Sequence, residues 1–163
     1  PFFWRRLHWC EESPVVVQLL GENPKEMAEA ARYYEGEGAD VIDLNFGCPL
    51  KKVCQKGEEQ RFAGDLPRMR AVIEAVKQAV TVPVTVKTRL GWDANSIVAD
   101  QVAVLCQSLG VAALALHART RSQFFSGEAD YSCARTIKAC AALPLWLKAV
   151  SYTHLRAHET RHD

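Results

Sequence analysis

The sequence lacks the marks of several large classes of protein. Its 163 residues carry 20 Lys+Arg against 19 Asp+Glu, a net charge of +1. No global positive field points to nucleic acid, so any such contact must come from local groups. The candidates are Lys51, Lys52 and Lys56, or Arg119 and Arg121. No run approaches the ~20 apolar residues of a membrane span. The opening, Pro1-Phe2-Phe3-Trp4-Arg5-Arg6, has no apolar signal-peptide core and no starting Met, as expected of a fragment. Cysteines stand at positions 10, 48, 54, 106, 133 and 140 without a Cys-x-x-Cys pair, which argues against a zinc or redox motif. Cys106, Cys133 and Cys140 fall in helical patterns, where a buried free thiol is expected. Together the cysteines point to the reducing cytosol rather than to a disulfide framework. Finally, no Gly-x-Gly-x-x-Gly follows the first apolar run, which argues against a dinucleotide-binding Rossmann unit.

What is present is a regular alternation of strand and helix. The chain is 48% hydrophobic and 24% charged, ordinary for a soluble domain with one core. Val15 to Leu20 reads as a strand buried on both faces. Asn23-Pro24 then caps a helix through Met27, Ala30, Ala31 and Tyr34, which Gly36 and Gly38 end. Val41 to Asn45 is the second strand. Asp65 caps a helix carrying Met69, Val72, Ile73 and Val76. Val82 to Lys87 is the third strand, with Pro83 at its edge. Asp93 can cap a helix through Val98, Val102, Leu105 and Leu109, which stops at Gly110. Ala113 to His117 is the fourth strand, Asp130 can cap a helix through Ala134, Ile137 and Ala141, and a fifth strand starts at Leu143.

This β(αβ)×4 order gives a parallel sheet, either doubly wound or part of a (β/α)8 barrel. Polar residues stand at successive strand ends: Gln18, Asn45 with Cys48, Lys87 with Arg89, and His117 with Arg119. In a barrel these ends converge on one rim, the face that carries the chemistry. A full barrel needs ~250 residues, so about five strands make a partial one. The most pointed segment is Asp43-Leu44-Asn45-Phe46-Gly47-Cys48-Pro49. There a strand ends in Asn, a Gly turn presents a lone Cys, and Pro49 stops the ladder. By itself Cys48 is either a catalytic acid or nucleophile, or an apolar filler.

The segment from about residue 149 breaks the pattern. His154, His158 and His162 are spaced for one helical stripe, a pattern that can bind metal. The run resembles translated adapter read-through, however, and is set aside with no metal expected. The expected organisation is therefore an N-terminal segment 1–13, a partial barrel 14–148 and a non-native tail 149–163.

Four ordered blocks resemble the tRNA-dihydrouridine synthases, and most closely their bacterial B-type branch. These are Val15 to Gly21, Asp43 to Pro49 with Lys52-Val53, Val82 to Asp93, and Leu116 to Gln123 with Gly127 to Asp130. The resemblance implies a (β/α)8 flavoenzyme that is cytoplasmic and, at full length, monomeric. FMN, reduced by NADPH, would deliver hydride to C6 of a uridine in tRNA, and a Cys acid would protonate C5. Carried over residue by residue, the acid falls on Cys48, the flavin ligands on Gln18, Lys87 and His117, and the substrate contacts on Asn45 and Arg89. The other readings are a different FMN barrel oxidoreductase, of the dihydroorotate dehydrogenase or ene-reductase kind, and a non-catalytic RNA-binding module. Asn45-x-Gly47-Cys48-Pro49 together with Lys87-x-Arg89 favours the tRNA enzyme.

The sequence also departs from the family pattern. Glu59 and Gln60 replace a Gly and a small residue after Cys48, Ala118 replaces the Gly of His-Gly-Arg, and Lys148-Ala149-Val150 stands where Asn-Gly-Asp is usual. The opening Ala-Pro-Met flavin loop, the later Gly-Arg phosphate site and the helical RNA-binding domain have no counterpart here. The expected outcome is that the purified 163-residue chain binds FMN weakly or not at all and is inactive alone. Flavin absorbance after gel filtration checks this, and tight stoichiometric binding would overturn it.

Overall fold

A computed structural model describes residues 13–47 and 65–148. Cys48, Lys51, Lys52, Cys54 and Lys56 lie outside the described residues, as do most of the N-terminal segment and the histidine-bearing tail. The element order is β1 (Val16–Leu19), α1 (Pro24–Gly36), β2 (Val41–Asn45), α2 (Leu66–Ala79), β3 (Val84–Arg89), α3 (Ala99–Ser108), β4 (Ala113–His117), α4 (Cys133–Cys140) and β5 (Leu145–Lys148).

The five strands form one parallel sheet in the order β1-β2-β3-β4-β5. Sequence order equals spatial order, so there is no switch point of the doubly wound kind. Consecutive helices pack on each other, α1 on α2, α2 on α3 and α3 on α4. All four therefore lie on one face of the sheet, which is the barrel arrangement.

The pleat assigns the side chains. Strand neighbours alternate between faces with period two. Ile42, Leu44, Val84, Val86, Leu114 and Leu116 all point under the helices and are buried. There they meet Met27, Ala31, Met69, Val72, Ile73, Val76, Val102, Cys106 and Ile137 in one continuous core. The opposite face carries Gln18, Asp43, Asn45, Thr85, Lys87, Arg89 and His117, which follow one another across the sheet in register. β1 differs from the expectation of a strand buried on both faces, since Val16 is 55% exposed. Only one of its edges is paired among the described strands, so neighbours cover it on one side alone.

Two helix starts follow the expected caps. The Asn23 Oδ1 accepts from the backbone N–H groups of Lys25 and Glu26, and Asp65 Oδ1 accepts from that of Arg68. Two others do not. α3 begins after Val98, while Asp93 instead closes a loop turn, accepting from Asn95 N and Ser96 Oγ. α4 begins after Ser132, and Asp130 accepts from both Ser132 N and Ser132 Oγ one turn early. In both cases a short Asx-type turn captures the carboxylate before the helix can use it. The cysteines also divide. Cys106 is buried as expected, but Cys133 is half-buried and Cys140 exposed, because α4 buries only Ile137 fully.

Leu114 is fully buried on β4, between β3 and β5. Leu114→Ala is expected to cost about 2–5 kcal/mol, and Asn23→Ala about 1 kcal/mol, in urea denaturation.

Candidate active site

The polar face begins with a chain of hydrogen bonds that spans three strands. Thr85 Oγ1 donates to Asp43 Oδ1 (2.7 Å), and Gln18 Nε2 donates to Asp43 Oδ2 (2.5 Å). Asn45 Nδ2 then donates to Gln18 Oε1 (2.9 Å), and the backbone N–H of Gly47 donates to Asn45 Oδ1 (3.0 Å). The carboxylate of Asp43 can only accept, so it fixes which end of the Gln18 amide faces it. That choice in turn fixes the Asn45 amide. Each amide keeps one N–H outside the chain of bonds.

Gly47 leaves β2 flush against β3. A Cβ there would stand 3.0 Å from the Thr88 carbonyl carbon and 3.2 Å from Arg89 N, so a side chain would push the two strand ends apart. Arg89 fills the space beyond. It is only 2% exposed, and its guanidinium donates from Nε to Gly47 O (3.1 Å) and from one Nη to Thr120 O (3.0 Å) and Phe124 O (2.6 Å).

The loops after β3 and β4 are stitched together. Leu90 N donates to Arg119 O, Arg121 N to Gly91 O, and Ser122 N to Trp92 O. Gly91 permits a fold-back in which a Cβ would meet Ser96 O at 2.0 Å. Arg121 stacks its guanidinium 4.0 Å from the centre of the Trp92 ring. Arg119 is buried and donates to Gly127 O through Nε and Nη. Arg119 is thus buried rather than part of an exposed patch, whereas Arg121 is half-buried with its guanidinium stacked on Trp92.

His117 is 6% exposed, lies in register with Arg89 and Lys148, and packs its ring 6.2 Å from Phe125. Burial, followed by the charges of Arg89, Arg119, Lys87 and Lys148, lowers its pKa from 6.5 to about 4. The imidazole is therefore neutral at physiological pH. Lys87 is half-buried in register with Asn45. A cation, a neutral imidazole and an oriented amide along one rim fit the electron-rich N1–C2=O edge of a flavin, which accepts hydrogen bonds and gathers negative charge on reduction.

The strand ends thus bring Gln18, Asn45, Lys87, Arg89 and His117 onto one face, while Cys48 lies outside the described residues. Sequence reasoning missed Asp43 and Thr85. Their signal was present in the alternation Ile42-Asp43-Leu44-Asn45 and Val84-Thr85-Val86-Lys87, which aims Asp43 and Thr85 at the same face as the strand-end groups. Among the described residues there is no cluster of three or more His, Cys, Asp or Glu placed to hold a metal ion. No described helix is long and apolar enough to cross a membrane.

The His117 titration is a direct check. Its C2 proton in NMR should shift with a midpoint near pH 4, well below the ordinary 6.5. A native-state pKa below the unfolded one means the unfolded chain binds the extra proton, so stability should fall as pH drops from about 6.5 towards 4. His117→Gln should remove that part of the pH dependence.

The chain is similar in sequence to several known proteins. The tRNA-dihydrouridine synthase B of Xanthomonas axonopodis pv. citri is 41% identical over 152 residues, covering 89% of this chain and 46% of that protein. The enzyme of the same name from Pseudomonas aeruginosa is 40% identical over 142 residues, covering 87% and 43%. A probable tRNA-dihydrouridine synthase of Rickettsia conorii is 44% identical over 129 residues, covering 79% and 39%. The chain thus spans about half the length of the curated relatives it matches. The solved structure of phosphonopyruvate hydrolase superposes with a TM-score of 0.47 at 16% identity, covering 89% of this chain and 56% of that one, a likeness too distant to carry weight. The pattern of the dihydrouridine synthase (Dus) family matches residues 4–147, nearly the whole chain, and the protein belongs to that family.

Proposed function

We propose that this chain carries the flavin- and uracil-facing rim of an enzyme that reduces uridine to 5,6-dihydrouridine in tRNA, with FMN as cofactor and NADPH as reductant. The observation that carries the reading is the convergence of Gln18, Asn45, Lys87 and His117 on one polar sheet face, with both amides oriented by Asp43. The family relationship supports it. When bound, FMN would supply the hydride for C6 of the uracil.

The chain's own residues do the rest. Lys87 offers a positive charge to the reducing end of the flavin ring, where it stabilises developing anionic character. His117, held neutral by burial and by its cationic neighbours, donates or accepts a hydrogen bond without adding a further charge. The N–H that Gln18 keeps outside the Asp43 bond faces the same rim. Asn45 offers one N–H and a second lone pair on Oδ1, a donor and acceptor pair complementary to the imide edge of a uracil. Cys48 follows Gly47 directly in sequence and is assigned the proton for C5. That role requires the thiol rather than the thiolate form. The base must leave its stack to reach such a rim, so the substrate is an unpaired or flipped uridine. The reading places the enzyme in the cytoplasm with tRNA as its partner, acting as a monomer.

The test is the dihydrouridine content of tRNA from a strain without its own dihydrouridine synthases, rescued with the full-length gene to which this chain belongs. Rescue should restore dihydrouridine, and Cys48→Ala should lower it about 10²-fold or more, the scale of a lost general acid. A rescued strain without dihydrouridine, whose extract instead oxidises dihydroorotate or reduces an activated enone, would assign the rim to another flavin oxidoreductase.

A further inference from the structure

We infer that Arg89 is a positioning residue. Its guanidinium locks the exit of β2 to the β4–α4 loop, and so fixes the spacing between the chain leaving Gly47 and the imidazole of His117. The inference rests on the functional reading above, because both concern the same rim, but it assigns Arg89 a task other than contact with the base.

The geometry is that of a clamp. One planar group reaches backbone carbonyls from two separate loops: Gly47 O at 3.1 Å, and Thr120 O and Phe124 O at 3.0 and 2.6 Å. Carbonyls held by a buried cation give charge-assisted bonds, stronger than neutral ones. A side chain at position 47 would meet the backbone of Thr88 and Arg89, so only Gly lets the β2 exit lie close enough for its carbonyl to reach Nε. On the other side, Phe124 sits at φ 55°, a left-handed conformation costly for an aromatic residue, and its carbonyl receives the shortest of the three bonds.

The clamp also reaches the imidazole. The Arg89 guanidinium lies 5.5 Å from the centre of the Phe125 ring, and that ring lies 6.2 Å from the ring of His117. Phe125 is thus seated by the group that anchors its loop, and it forms one wall against His117. The Arg89 charge is also the leading electrostatic cause, after burial, of the neutral state of His117. A lysine would keep that charge but lacks the planar fork needed to hold two loops at once.

This separates two functions that one variant would confuse. Arg89→Lys keeps the charge and loses the fork, whereas Arg89→Gln loses both. Ile137→Val serves as a control that loosens the core from α4, away from the rim. The readouts are amide hydrogen exchange and the His117 NMR titration on the 163-residue chain. Neither needs flavin nor turnover, so they succeed or fail independently of the dihydrouridine assignment. In Arg89→Lys, the amides of Arg121, Ser122 and Phe124 should exchange about tenfold faster or more, the effect of one lost charge-assisted bond. Val86 and Leu114 should keep their protection, and the His117 midpoint should stay near 4. In Arg89→Gln the midpoint should rise as well.

Loop protection unchanged in Arg89→Lys would overturn the clamp in favour of charge alone. Protection lost uniformly, as in Ile137→Val, would overturn it in favour of general destabilisation. Should the variants fail to fold, the wild-type protein still decides. A clamped guanidinium gives a slowly exchanging Nε–H and hindered rotation of its Nη groups in side-chain NMR. A freely rotating one contradicts the proposal.

Discussion

A parallel strand covered by helices on one side has two faces that cannot be exchanged, and everything else here depends on that. The pleat places Ile42, Leu44, Val84, Val86, Leu114 and Leu116 under the helices. It therefore places Asp43, Asn45, Thr85, Lys87, Arg89 and His117 on the other face, whatever their cost in desolvation. A register slip of one residue would send the charged set into the core and the apolar set onto the polar face, so the register is strongly specified. The polar network is thus no addition to a finished scaffold. The same alternation that drives collapse assembles it.

That network resolves the problem it creates. Buried polar groups are expensive unless satisfied, and none of the buried side-chain nitrogen and oxygen atoms among the described residues lacks a partner. Asp43 takes donors from two neighbouring strands. Arg89 gives hydrogen bonds to three loop carbonyls, which supplies irregular backbone at the rim with bonds it would otherwise draw from water. His117, ringed by cations, avoids the cost of a further buried charge by staying neutral.

Much of this was legible in the sequence, and the part that was not has a physical reason. β2 and β4 run from Val41 to Asn45 and from Ala113 to His117, as the apolar runs and the polar residues that close them foretold. Asn23 and Asp65 act as caps because each stands directly before a helix-compatible Pro or Leu. Asp93 and Asp130 look alike in the sequence, but a Ser within three residues of each offers the carboxylate a local turn that competes with the helix cap. The strand ends were readable because polarity changes abruptly there. Asp43 and Thr85 carried no role in the sequence reading, since each sits mid-strand between apolar neighbours and its meaning appears only once the face is known. The direction of Arg89 could not be read at all, because its partners are carbonyls, which every residue possesses.

At the far end of the sheet, Glu35 closes α1 by accepting from Thr81 N, Thr81 Oγ1 and Val82 N, just ahead of β3. Those bonds, the Thr81 hydroxyl first, hold its carboxylate below the ordinary 4.5. Its share of stability is complete above that value and drains away as the pH falls beneath it. His117 begins to cost the fold from about 6.5 downward. The two windows meet end to end, one at each rim of the sheet. Falling pH therefore weighs on the fold first through the mouth that carries the chemistry, at His117, and then through the opposite end of the sheet, at Glu35.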